Sequence, residues 1–87
     1  MFVIITYDIN VKSVGKVCKK LREHLTWTQN SVFEGELTKG QFMKCRKEVE
    51  KIIDPSEDSI YYYIVENPKH IKKDTVGNEK GDFDLFF

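Results

Sequence analysis

A chain of 87 residues falls below the length that accompanies a second domain, so residues 1–87 are expected to form one unit, with a core small enough to favour self-association. Its composition, 40% hydrophobic and 32% charged, is too apolar for a disordered chain. Fourteen basic residues balance fourteen acidic ones, which argues against a generally basic nucleic-acid binder and leaves the local placement of charge to decide.

Residues 2–9, FVIITYDI, are an almost unbroken apolar and β-branched run, as expected of a central strand covered on both faces. Alternation puts Phe2, Ile4, Thr6 and Asp8 on one face and Val3, Ile5, Tyr7 and Ile9 on the other. From Ser13, read as the N-cap, Val14, Val17, Cys18, Leu21 and Leu25 follow a helical stripe, with Lys16, Lys19, Lys20 and Glu23 opposite. Residues 26–37, TWTQNSVFEGEL, are rich in strand formers but broken by Gln29-Asn30-Ser31, so one bent strand and two short ones fit equally. Thr38 and Gln41 have capping-box spacing, and Phe42, Cys45, Val49, Ile52 and Ile53 form the stripe of a second helix, stopped by Asp54-Pro55-Ser56. Ile60 to Val65 is the clearest strand, ended by Asn67-Pro68. Beyond it a short strand is expected around Ile71 to Val76, then a Gly77 to Gly81 turn and an apolar tail in which Phe83, Leu85 and Phe87 alternate with Asp82, Asp84 and Phe86.

This order is that of an α+β, ferredoxin-like βαββαβ sandwich with an extra C-terminal strand. Two helices cover only one face of its sheet, so the other is expected to pack on a second copy, aided by the 82–87 tail. No apolar run reaches the ~18 residues of a membrane span, and no signal-peptide cleavage pattern follows the first strand, which fits a cytoplasmic protein without membrane contact. Cys18 and Cys45 lack metal or redox spacing and read as reduced core residues.

Few residues carry chemistry. Asp8 closes an apolar strand just before a helix, a place where ions and phosphates are often met, although a loop aspartate accepting backbone hydrogen bonds fits the same position. One carboxylate is a poor magnesium site alone, and a second copy would supply another. Lys12, Lys16, Lys19, Lys20 and Arg22 stand against Glu23 alone between residues 11 and 24, a phosphate-backbone footprint or a solvated helix face, with Lys69, Lys72 and Lys73 as an extension. Tyr61 to Tyr63 read mainly as core, Asp54, Glu57 and Asp58 as a helix stop, and His24 and His70 as isolated. No Walker or Rossmann glycine pattern is present, nor a nucleophile with a histidine at motif spacing.

MFVIITYDI, then WTQNSVFEGEL after the first helix, then DSIYYYIVE together resemble the small CRISPR-associated adaptation protein that partners the spacer integrase, a family also named CRISPR-associated endoribonucleases. The likeness covers essentially the whole chain. It implies a homodimer that holds a magnesium ion, or another divalent cation, between protomers through Asp8. It further implies partnership with the integrase, binding of double-stranded DNA for integration into the CRISPR array, and metal-dependent cleavage of phosphodiesters, with single-stranded RNA as a further substrate. Ser31 and Phe33 match the family's SVF segment near the active site, whereas Val11-Lys12-Ser13 stand where many members carry an arginine pair. Two other readings share the small dimeric fold: a stand-alone, toxin-like mRNA nuclease and a non-catalytic module that senses a ligand at its dimer interface.

Overall fold

The computed structural model describes residues 1–77. Its order is β1 (Phe2–Asp8), α1 (Val11–Arg22), β2 (Thr26–Gln29), β3 (Val32–Glu36), α2 (Lys39–Glu50) and β4 (Ser59–Val65), then a 3₁₀ turn at Pro68–His70. The strands form one antiparallel sheet in the order β2-β3-β1-β4. This is the expected α+β, ferredoxin-like architecture.

The open choice at 26–37 resolves as two strands joined through Asn30-Ser31. Ser31 takes a φ of 62°, the left-handed conformation that closes the connection. A register shift between Trp27 and Gln29 bulges β2 against Val32 and Phe33.

Both helices lie on one face of the sheet. Val3, Ile5 and Phe33 from the strands meet Val17, Leu21, Phe42, Cys45 and Val49 from the helices in a fully or almost fully buried core. Each large apolar side chain removed from water here contributes about 1.5–3 kcal/mol before entropy is counted. Tyr62 packs edge-on against Phe42, and the Arg46 guanidinium lies 4.9 Å from the centre of its ring.

Several expectations need correction. Helix α1 is capped by Asn10, not Ser13: the Asn10 side chain accepts the Lys12 N–H at 3.0 Å, and its carbonyl accepts from Val14. The helix opens on exposed residues, with Val11 at 85% and Val14 only half-buried, so the fully buried stripe begins at Val17. At α2 the Thr38–Gln41 capping box forms as expected, but Ile52 and Ile53 fall past the last turn. No strand forms at Ile71 to Val76. Asn67 and Pro68 start the 3₁₀ turn instead, and the chain then crosses the uncovered face of the sheet, where Lys73 Nζ reaches Glu34 Oε1 at 2.6 Å. β1 is central but covered by helices on one face only. Gly77, at φ 93°, is the last described residue, so the 77–81 turn and the 82–87 tail lie outside the described residues.

The tyrosine run splits by parity. Tyr62 faces the helices, whereas Tyr61 and Tyr63, at 57% and 54% exposure, stand on the uncovered face and are not core. They share that face with Phe2, Ile4, Thr6 and Asp8 through the β1–β4 register.

Candidate metal and nucleic-acid site

Asp8 is the exposed last residue of β1 and lies opposite Ser59 across the β1–β4 ladder. On its other flank the β2–β3 connection closes in, because Tyr7 donates its N–H to the Ser31 carbonyl at 3.1 Å. Ser31 and Asp8 are thus brought to the same end of the sheet, with Ser31 exposed. Phe33 is different. It is wholly buried and packs its ring 6.2 Å from that of Tyr7, so it supports β1 from the core and cannot touch a ligand.

Beneath Asp8, the Tyr7 hydroxyl lies 3.1 Å from Cys18 Sγ. Burial and that contact push the Tyr7 phenol well above its ordinary range, so it stays protonated at neutral pH. Cys18 is therefore a half-buried partner of Tyr7, while Cys45 is a true core cysteine whose thiol burial raises to about 11. Both are free.

The turn before β4 holds a residue whose part sequence reasoning missed. Asp58 is a buried carboxylate, accepting the Asn10 N–H on Oδ1 and the Asp54 N–H on Oδ2, each at 2.8 Å. Asp54 caps the turn by accepting from the Ser56 hydroxyl and N–H, which lowers its carboxyl below the usual range. The acidic turn is a helix stop, as expected. Asp58 stands directly before β4, and nothing local in the sequence signals its reach to Asn10, 48 positions away.

The basic face of α1 divides. Lys16 and Lys19 are exposed and have no carboxylate partner among the described residues, and Lys12 stands 3.9 Å from Glu57 at an exposed position. Lys20 is engaged: its Nζ is 2.9 Å from Glu23 and 3.1 Å from Glu48. Hydrogen bonds from Lys20 hold Glu48 below the ordinary carboxylate range, and His24 joins it at 3.2 Å, so His24 is not isolated. This cluster ties α1 to α2. Lys73, placed by the sequence with the basic surface, instead pairs with Glu34 over the open face.

Among the described residues no three metal-ligating side chains converge. Asp8 nevertheless suits a hard cation: its oxygens are exposed, no described side chain pairs with it, and magnesium takes one or two carboxylates while water and phosphate fill its other positions. Zinc, which favours several nitrogen or sulfur ligands, finds no such set there. Among the described residues no helix is long and apolar enough to cross a membrane.

Comparison with known proteins adds a history to this geometry. The model of the family described as CRISPR associated protein Cas2 matches residues 1–73. A CRISPR-associated endoribonuclease Cas2 from Thermotoga maritima is 44% identical over 87 residues, covering all of both chains. One from Thermodesulfovibrio yellowstonii is 48% identical over 79 residues, 91% of this chain and 90% of the relative. A solved Cas2 crystal structure superposes with a TM-score of 0.81 at 41% identity, over 92% of this chain and 90% of that one.

Proposed function

The chain belongs to the CRISPR-associated Cas2 family, and from that premise we propose that it is a nucleic-acid-processing subunit of a CRISPR system. In this reading it acts as a homodimer, supports insertion of spacer DNA with an integrase, and cleaves phosphodiesters with Asp8 as its metal-binding residue. The observation that carries the reading is the placement of Asp8. It is an exposed carboxylate at the end of the central strand, on the face the helices leave uncovered, and no described basic side chain neutralises it.

Each chain contributes a small set of groups. Asp8 would hold a magnesium ion together with Asp8 of a second copy, and the bound ion would supply charge stabilisation and a more acidic water. Ser31 borders the same end of the sheet with an exposed hydroxyl, able to donate to a phosphate oxygen. Lys16 and Lys19, with Lys12, offer three ammonium groups along one side of α1 for the nucleic-acid backbone, a contact that positions without reading sequence. Lys20 belongs to the helix–helix cluster and contributes less. The relatives' name, endoribonuclease, supports cleavage of RNA.

Asp8→Asn tests the assignment, because asparagine keeps the size of the side chain and removes its charge. Magnesium-dependent cleavage is expected to vanish in the purified variant, while integration of a labelled duplex with the integrase persists. Retained cleavage would falsify the metal role of Asp8. Loss of both activities from a folded dimer would show that the scaffold itself needs the charge at Asp8.

A further inference from the structure

Asp58 does more than a helix stop requires. α2 is closed by its own backbone, with Lys51 N–H on the Lys47 carbonyl, and the bond between Asp58 Oδ2 and the Asp54 N–H closes only the turn that follows, a contact over four residues. The other oxygen crosses 48 positions of sequence to Asn10, the residue that caps α1 and stands two places after Asp8. Asp58 also adjoins Ser59, the residue opposite Asp8 in the ladder. The carboxylate is therefore bonded to the loop that leaves β1, and its own residue directly precedes the strand that pairs with β1.

We propose that Asp58 is a positioning residue for Asp8, a buried clamp that fixes the β1–α1 connection so that the exposed Asp8 carboxylate is held in place with no side-chain partner of its own. The proposal rests on the reading of Asp8 as the ion-binding carboxylate. Its physical basis is the cost of burying charge. At 7% exposure a carboxylate is tolerated only while hydrogen bonds replace the water it has lost. Short bonds from N–H groups to an ionised acceptor are stronger than neutral ones. Any motion of the connection that withdraws the Asn10 N–H leaves a buried oxygen unpaired, so the loop is confined to the conformation seen. Sequence neighbours alone could not do this, because Asp8 ends its strand and Asn10 begins a helix.

Two routes break the clamp independently. Asp58→Asn keeps the shape but turns one acceptor into a donor facing an N–H. Asn10→Pro removes the donor, and the Asn10 φ of −52° is one that proline adopts. Asn10→Ala is the control, losing the cap side chain while keeping the N–H. In metal-free protein the backbone order parameter at Asp8 is expected to fall from about 0.85 to below about 0.6 in Asp58→Asn and Asn10→Pro, and to stay high in Asn10→Ala.

Magnesium titrated against the Asp8 carboxyl carbon signal should then bind at least about tenfold more weakly in the first two variants, a change of about 1.4 kcal/mol. In cleavage assays at fixed magnesium below saturation, kcat should fall while KM for the nucleic acid is kept. An unchanged order parameter in both clamp variants, or an equal loss in Asn10→Ala, overturns the clamp. A parent Asp8 signal that ignores magnesium overturns the metal reading instead, and the order parameters still decide whether Asp58 positions Asp8. If Asp58→Asn does not fold, the comparison of Asn10→Pro with Asn10→Ala decides alone.

Discussion

Under the proposed homodimer, replacing Tyr61 and Tyr63 by alanine should separate the two copies of the chain without unfolding either. A tyrosine exposes on the order of 200 Å² in an extended chain. At 57% and 54% exposure, each of these residues therefore still offers water about 110 Å². Closing that area in the proposed dimer would be worth about 2.7 kcal/mol per side chain at about 25 cal/mol per Å², and two-fold pairing through this face would bring four such side chains together. Alanine keeps part of the contact, and the chain beyond Pro68 already covers the sheet near Phe2, Thr28 and Glu34, where it leaves a cleft of about 460 Å³. Taking half the full sum gives a loss of about 5 kcal/mol, or a dimer dissociation constant raised roughly 10³- to 10⁴-fold. Sedimentation equilibrium over a dilution series reads this directly. Within one chain the two rings are mostly solvated, so the unfolding free energy of the separated monomer should change by less than about 0.5 kcal/mol. Lys19→Gln, on the far side of the molecule's helix layer, should leave the association unchanged. A double variant that dissociates within tenfold of the parent would refute the assignment of this face to the interface.

Two further outcomes follow from the charges and the core. Lys16→Gln with Lys19→Gln should lower the salt dependence of duplex DNA binding by about 1.8 in slope, about 0.9 for each phosphate no longer neutralised, and equally on unrelated sequences; filter binding from low to moderate salt measures it, and an unchanged slope shows a merely solvated face. Stability should fall at alkaline pH, because burial raises Cys45 from 9.0 to about 11 and Tyr62 from 10.0 to about 12. Below pH 9 both groups are protonated in folded and unfolded chains and their stabilisation is fully present. As pH rises toward 11 the unfolded thiol ionises first, removing up to about 1.4 kcal/mol per pH unit. Urea titrations at pH 8, 9, 10 and 11 should show Cys45→Ala losing the slope between 9 and 10 and part of it between 10 and 11, where Tyr62 also contributes, and an equal slope in parent and variant would refute the burial argument.

What could be read from the chain alone depended on how local the cause was. The Thr38–Gln41 box formed because both of its bonds close within three residues. β1 and β4 were legible because β-branched and aromatic runs have few alternatives. Alternation along Tyr61 to Tyr63 predicted two faces but could not say which met the helices, and the packing chose Tyr62. Ser13 looked like the cap because the apolar stripe starts after it, yet Asn10 has the side chain that reaches forward to accept the Lys12 N–H. At Ile71 to Val76 the local pattern admitted a strand, but the turn at Pro68–His70 redirected the chain over the sheet. Asp8 was visible as an acid closing an apolar run. Asp58 was not, since its role lies in a bond across 48 positions.

The charged residues divide by what surrounds them, and that division explains how so small a chain combines stability with a site. Lys20, His24 and Glu48 satisfy one another between the helices, and Asp58 is buried against two N–H groups. Removing any of these leaves a partner unsatisfied, so they are bound to the fold. Asp8, Lys16 and Lys19 are exposed and without a described partner. Water solvates them at little cost to folding, which leaves their charge available to a ligand. The lysines lie on the helical layer, whereas Asp8 shares its sheet face with Tyr61 and Tyr63. Covering that face with a second copy would therefore set the spacing of two Asp8 carboxylates while leaving the lysines of both copies in solvent. Under the proposed function, the apolar area that makes one chain incomplete is also what assembles the ion site, and the basic surface stays outside it to meet nucleic acid.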